Sequence, residues 1–248
     1  MRPSEERGMP ARPTGMRRFP VRLLALLVAL SFPAVAAPPP EAACCKAGSA
    51  SAAVKAANDR VRAALDRYFK APLGPAKEKA RAEAREAVGA LLDFQALSQA
   101  TMGKHWAQLT ADQRVRYTNA LRGAMEANYL TKMQQGQVDM SKVRNEILAE
   151  EKQGDKTLVK TRVVTGKDSA GVDYLLERGK KGWKAVDVIT EGVSLVDTYR
   201  DQVTRLLPKK GVNGVIDALE RAKKRLEEQQ DKPTASAEPS GGAATTEK

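Results

Sequence analysis

The sequence predicts an α+β fold: an antiparallel β-meander of about four strands, wrapped by N-terminal and C-terminal helices. Three observations predict it. Apolar residues recur at helical spacing from Val54 to Met133, alternate one in two from Val159 to Leu176, and return to helical spacing from Leu195 to Leu226. The turns between the alternating segments are short, so successive strands pair antiparallel. One face of such a sheet must be covered, and the flanking amphipathic helices are the available cover.

The chain has 248 residues, 42 % apolar and 29 % charged, which is globular composition and enough for one large domain or two small ones. A single His and two Cys leave little room for metal sites or His-dependent catalysis. Residues 1–36 read as a signal peptide: Arg17, Arg18 and Arg22 are basic, Leu23 to Phe32 is apolar, and Ala34 and Ala36 occupy the small positions before a cut. Met16 is a second candidate start. The apolar run is shorter than the roughly 20 residues a membrane span needs. Cleavage removes six Arg and two Glu, taking the net charge from +12 to +8. An exported protein is expected.

Residues 37–50 read as a flexible spacer rich in Ala and Pro. Its adjacent Cys44 and Cys45 are either a lipid-modified anchor or incidental thiols; a bridge between neighbours is strained. The folded domain is expected over 51–227. Val54, Ala57, Val61, Ala64, Leu65 and Tyr68 form the stripe of a first helix, which Ala71 to Pro75 stops. Ala80, Ala84, Val88 and Leu91 mark a second helix from Ala76 to about Leu92. Asp93 is placed to cap a short third one carrying Phe94 and Leu97. Thr110 and Gln113 form a capping box for a fourth, with Tyr117, Leu121, Met125, Tyr129 and Met133 spaced by four.

Val138 to Lys152 has no clear period. Lys156 to Thr165 alternates, a turn is expected over 166–171, and Val172, Tyr174 and Leu176 alternate again. Gly179 to Gly182 turns the chain into a strand from Trp183 to Glu191, which Gly192 ends. Ser194 caps a further helix that Pro208 is expected to terminate, and Asn213 caps a last one. Residues 228–248 hold no large apolar side chain beyond the domain and read as a disordered tail.

Chemistry-bearing clusters are sparse. His105 has no ligand-spaced partner, and its expected role is structural. Asp187 and Glu191 lie four apart on one strand, hence on one face, and are either an acid/base pair or carboxylates bonding backbone donors. No phosphate loop, nucleophile elbow or zinc signature occurs. The basic residues are dispersed along helices without interleaved aromatics, so nucleic acid is not an expected partner and anionic lipid head groups are.

Gly103-Lys-His-Trp106, Thr110 with Gln113-Arg114, Tyr117, Gly154-Asp155, Trp183 to Ser194 and Gly211 with Gly214 together resemble the MlaC family of periplasmic phospholipid-binding ABC transport auxiliary proteins. The resemblance runs in order from Val54 to Leu226. It implies a sheet wrapped by helices, NTF2-like in part, and a non-enzymatic carrier without a resident cofactor. Phospholipid is the implied cargo. The implied partners are an inner-membrane ABC transporter complex with an MCE-domain protein and an outer-membrane lipoprotein complex, and the carrier is expected to be a monomer.

Such a carrier needs a dry cavity. Two sixteen-carbon chains are worth roughly 25 kcal/mol at about 0.8 kcal/mol per CH₂. The expected wall is Val159, Val163, Val172, Tyr174 and Leu176, with Val186 and Val188 nearby. The expected lid is Leu97, Met102, Leu121, Met125, Tyr129, Leu195 and Tyr199. The alternative is that the same residues fill a solid core. Rival functions are an NTF2-like periplasmic enzyme using Asp187 with Glu191 or His105, and a non-catalytic structural envelope module.

Overall fold

The computed structural model describes residues 48–136 and 138–231. The expected signal peptide over 1–36, Cys44 and Cys45 of the expected spacer, and the part of the expected tail from residue 232 lie outside the described residues. Helices α1 (Ala50–Lys70), α2 (Pro75–Gly89), α3 (Phe94–Met102) and α4 (Ala111–Gln135) come first. Then follow strands β1 (Val143–Gln153), β2 (Lys156–Thr165), β3 (Asp168–Gly179), β4 (Gly182–Thr190) and the two-residue β5 (Val193–Ser194), and helix α5 (Leu195–Gln230). The sheet is antiparallel in the order β1-β2-β3-β4-β5. The α+β meander wrapped by helices is therefore the observed architecture.

The helix starts follow from their caps. Asp93 accepts from the Ala96 N–H at 2.9 Å. Thr110 and Gln113 satisfy each other's backbone donors at 3.2 and 3.0 Å, two of the orphan groups any helix start leaves. Ser194 accepts from Asp197 at 3.0 Å and opens α5. Ser49 caps α1, and Ala50 is fully buried, so the first helix starts one residue ahead of the expected Ser51.

Four boundaries differ from the sequence reading, each for a physical reason. Val143 to Gln153 is a full strand although it carries Arg144, Glu146, Glu150 and Glu151, because cross-strand pairing to β2 rather than apolar alternation defines it. The turn between β2 and β3 is tight, Thr165 pairing Asp168, so Ser169 to Gly171 belong to β3. Pro208 does not end its helix. Its ring φ is helical and costs one hydrogen bond, while Leu206, Leu207 and Val212 pack onto the helical core on both sides of it. The break comes at Gly211 (φ 63, ψ −178), and Asn213 is interior to the second segment rather than its cap. Finally, α5 runs past 227 to Gln230, which is buried and donates to the Ala127 carbonyl at 3.0 Å and Thr131 Oγ1 at 2.9 Å. Polar burial of this kind leaves no apolar trace in the sequence.

Apolar side chains gather in three clusters. The largest joins α3, α4 and α5; a second joins the start of α1 to the sheet; a third joins the end of α1 to α2 and α4. Helix α1 thus bridges sheet and helices. At β4 the edge is shared: Ala185 bonds Leu91 and Asp93 backbone at 2.8 and 2.9 Å, while Ile189 pairs Ser194 of β5. Glu146, Glu151, Lys156, Lys160, Arg162 and Glu177 form cross-strand ion pairs on the face of β1–β3 turned away from α1.

The φ/ψ of Gly211 is one that only glycine adopts cheaply, so Gly211→Ala is expected to cost about 1–3 kcal/mol. Urea denaturation measures it, and unchanged stability would contradict the assigned break.

Candidate functional site

Strand register decides which side chains share the inner face. Val159 stands opposite Tyr174, and Tyr174 opposite Val188; Val163 stands opposite Ala170, and Leu176 opposite Ala185. Ile147 stands opposite Thr161 on the same face. Val172 lies two residues before Tyr174, so it belongs there too. The half of this face nearer Ala185 is covered: Ala50, Val54 and Ala57 of α1 pack on Ile147, Val159, Leu176 and Ala185. The other half is not closed in the same way. Val163, Val172 and Val188 keep accessible surface and belong to none of the three clusters.

The expected wall and lid residues separate accordingly. Val159 and Leu176 are buried under α1, with Tyr174 packed partly against them. Val186 is buried but sits at the register shift between β3 and β4, an extra residue without a partner, so it does not continue the Val188 row. Leu97, Met102, Leu121, Met125 and Tyr199 are buried together in the α3–α4–α5 cluster, with Leu195 at its margin. The structure seats these as helical core. Tyr129 instead borders the third cluster. The residues that combine an apolar side chain, a place on the inner face and remaining accessible surface are Val163, Val172, Tyr174 and Val188.

Two phenols report on the environment there. Tyr129 and Tyr174 both keep accessible surface. Burial nevertheless pushes Tyr129 up to about 12 and raises Tyr174 above the ordinary phenol value, with the neighbouring Tyr129 raising it further. Both phenols are thus largely withdrawn from water although neither side chain is fully enclosed. Tyr174 donates to Asn58 Oδ1 at 3.0 Å, while Asn58 Nδ2 is buried without a partner. Asn58 was missed in the sequence. It lies four residues after Val54, on the apolar stripe of α1, and a polar residue in that position was the available signal.

The candidate catalytic carboxylates have structural duties. Asp187 accepts from the Val188 N–H at 2.8 Å, Ser194 Oγ at 2.6 Å and the Val196 N–H at 3.1 Å, tying β4 to the start of α5. Glu191 lies beyond the end of β4 with φ 50, and its carboxylate takes the Gly171 N–H. The two do not extend one strand face, contrary to the spacing argument. The His105 side chain makes no hydrogen bond or ion pair among the described residues. Tyr117 bonds Thr101 at 2.8 Å, and Trp106 stands edge-on to it with Arg114 over the indole, so the aromatic motif is a packed corner between α3 and α4. Among the described residues no three metal-ligating side chains converge.

Helices thus wrap an antiparallel meander, and an apolar half-face of it lies outside the three packed clusters. A family model described as MlaC protein matches residues 54–221, and the chain belongs to the MlaC family. Among solved structures it is similar to a phospholipid-binding protein from Ralstonia solanacearum in complex with a phospholipid. That match has a TM-score of 0.61 and 22 % identity, and covers 71 % of this chain and 97 % of that one, a likeness of fold.

The protein has five tyrosines, Tyr68, Tyr117, Tyr129, Tyr174 and Tyr199, and burial raises all five above the ordinary value near 10. A raised phenol favours folding below its unfolded value, and that contribution is lost as pH climbs from 10 through the folded value. Native protein is therefore expected to show little phenolate absorbance at pH 10, with stability falling between about pH 10 and 12. Half-titration at pH 10, as in urea, would contradict the assigned burial.

Proposed function

We propose that this chain is a periplasmic carrier that shields the acyl chains of a phospholipid against the inner face of its sheet. It moves lipid between the outer and inner membranes. Its partners in this reading are an outer-membrane lipoprotein complex and an inner-membrane ABC transporter complex with an MCE-domain protein, and it works as a monomer without catalysis. The observation that carries the reading is the row Val163, Val172 and Val188, an apolar half-face that no packed cluster of the protein absorbs. Membership of the MlaC family and the fold likeness to a phospholipid-binding protein support it. The basic, apolar and Ala-x-Ala order of residues 16–36 supports export.

The chemistry fits the task. Acyl chains gain free energy from apolar surface without a directional partner, so a carrier needs area and dryness rather than a preformed charge. Release to a membrane partner then asks only for a competing apolar surface. The charges of this protein are spent elsewhere, on helix and strand faces.

Protein purified from cells is expected to yield about one phospholipid per chain by mass spectrometry of an organic extract; repeated absence of lipid would overturn the reading. Val188→Glu places a charge on the row and is expected to lower lipid content at least tenfold with unchanged helical circular dichroism. Met125→Lys, by contrast, enters the helical core and is expected to lower stability by about 3–5 kcal/mol. A lipid-free but stable Met125→Lys protein would move the pocket into the α3–α4–α5 cluster.

A further inference from the structure

Asn58 of α1 and Tyr174 of β3 meet through a hydrogen bond, and Tyr129 of α4 stands near enough to Tyr174 for the two phenols to interact. Their hydrogen-bond inventory is lopsided. Tyr174 spends its O–H on Asn58 Oδ1 at 3.0 Å. That leaves both N–H groups of Asn58 Nδ2, which is buried without a partner. It also leaves the O–H of Tyr129, which makes no hydrogen bond among the described residues. Tyr174 packs on the α1–sheet cluster and Tyr129 on the α1–α2–α4 cluster, so the donors stand at the border between two apolar masses. A buried unmet donor is destabilising, and a ligand acceptor recovers the lost hydrogen bond.

The surroundings also select the charge of that acceptor. No Lys, Arg, Asp or Glu contributes to the raised values of Tyr129 and Tyr174; burial and the second phenol account for them. A carboxylate or phosphate placed there is buried without a counter-ion, which is costly, whereas a neutral carbonyl is not.

We infer that Asn58 Nδ2 and the Tyr129 hydroxyl, with Tyr174 holding the amide in place, form a neutral donor set for the ester carbonyl of a bound acyl lipid. The inference rests on the carrier reading and deepens it, since it makes the esterified chain, rather than the free fatty acid, the recognised cargo. Asn58 and Tyr129 touch the ligand; Tyr174 is a positioning residue.

The test compares two phosphatidylcholines of equal chain length, one ester-linked and one ether-linked and so lacking both carbonyls, titrated into delipidated full-length protein. Native protein is expected to bind the ester lipid about tenfold more tightly. Tyr129→Phe, nearly isosteric, and Asn58→Ala are each expected to lose most of that preference, by weakening the ester lipid alone. Equal affinity of native protein for the two lipids, or a preference that survives both substitutions, overturns the donor set while leaving the carrier reading intact. Binding of neither lipid overturns both. A palmitate titration adds a further reading: binding as tight as the ester lipid contradicts the neutral site.

Discussion

A sheet whose four long strands run nine to twelve residues presents more apolar face than one helix can cover. Such strands extend about 30–40 Å, while a helix with its side chains is about 10–12 Å across. Here α1 lays only its first two turns on the inner face, through Ala50, Val54 and Ala57, before it leaves to pack on α2 and α4. The half-face carrying Val163, Val172 and Val188 is the consequence. Everything proposed about function follows from that mismatch between the area the strands expose and the area the helix takes up.

The polar contacts serve the same geometry from outside it. Glu150 of β1 receives both the backbone N–H and the hydroxyl of Ser51, fixing where α1 meets the sheet. Asp187 fastens β4 to α5, and the pairing of Ala185 with Leu91 and Asp93 brings the α2–α3 connection onto the same edge. Each contact sits where the chain passes between sheet and helices. Asp187, one of the two carboxylates that looked available for chemistry, is one of the groups that hold this junction, while Glu191 takes the Gly171 N–H of β3.

Much of this was legible in the sequence, for reasons that differ by element. Capped helices announced themselves because Asp93, Thr110 and Ser194 are short polar side chains in front of apolar stripes, and the caps form as their spacing requires. Val172, Tyr174 and Val188 could be assigned to an inner face because strands alternate with period two. Three things were hidden. β1 is charged on its outward positions and borrows its regularity from β2. The α5 break belongs to the backbone of Gly211, which a proline three residues earlier masked. The division between packed and open inner face depends on how far α1 reaches along the sheet, a tertiary fact. Leu97, Leu121 and Met125 therefore read like Val163 in the sequence, and only the packing seats them in the α3–α4–α5 cluster.

The most direct test of the account places a reporter on the cargo itself. A phospholipid with a nitroxide midway along one acyl chain, loaded into protein with labelled methyl groups, broadens the NMR signals of methyls within reach. The account predicts broadening of Val163, Val172 and Val188, with Leu97 and Leu121 retained. Broadening confined to Leu97 and Leu121, or none at any of the valines in lipid-loaded protein, would contradict it.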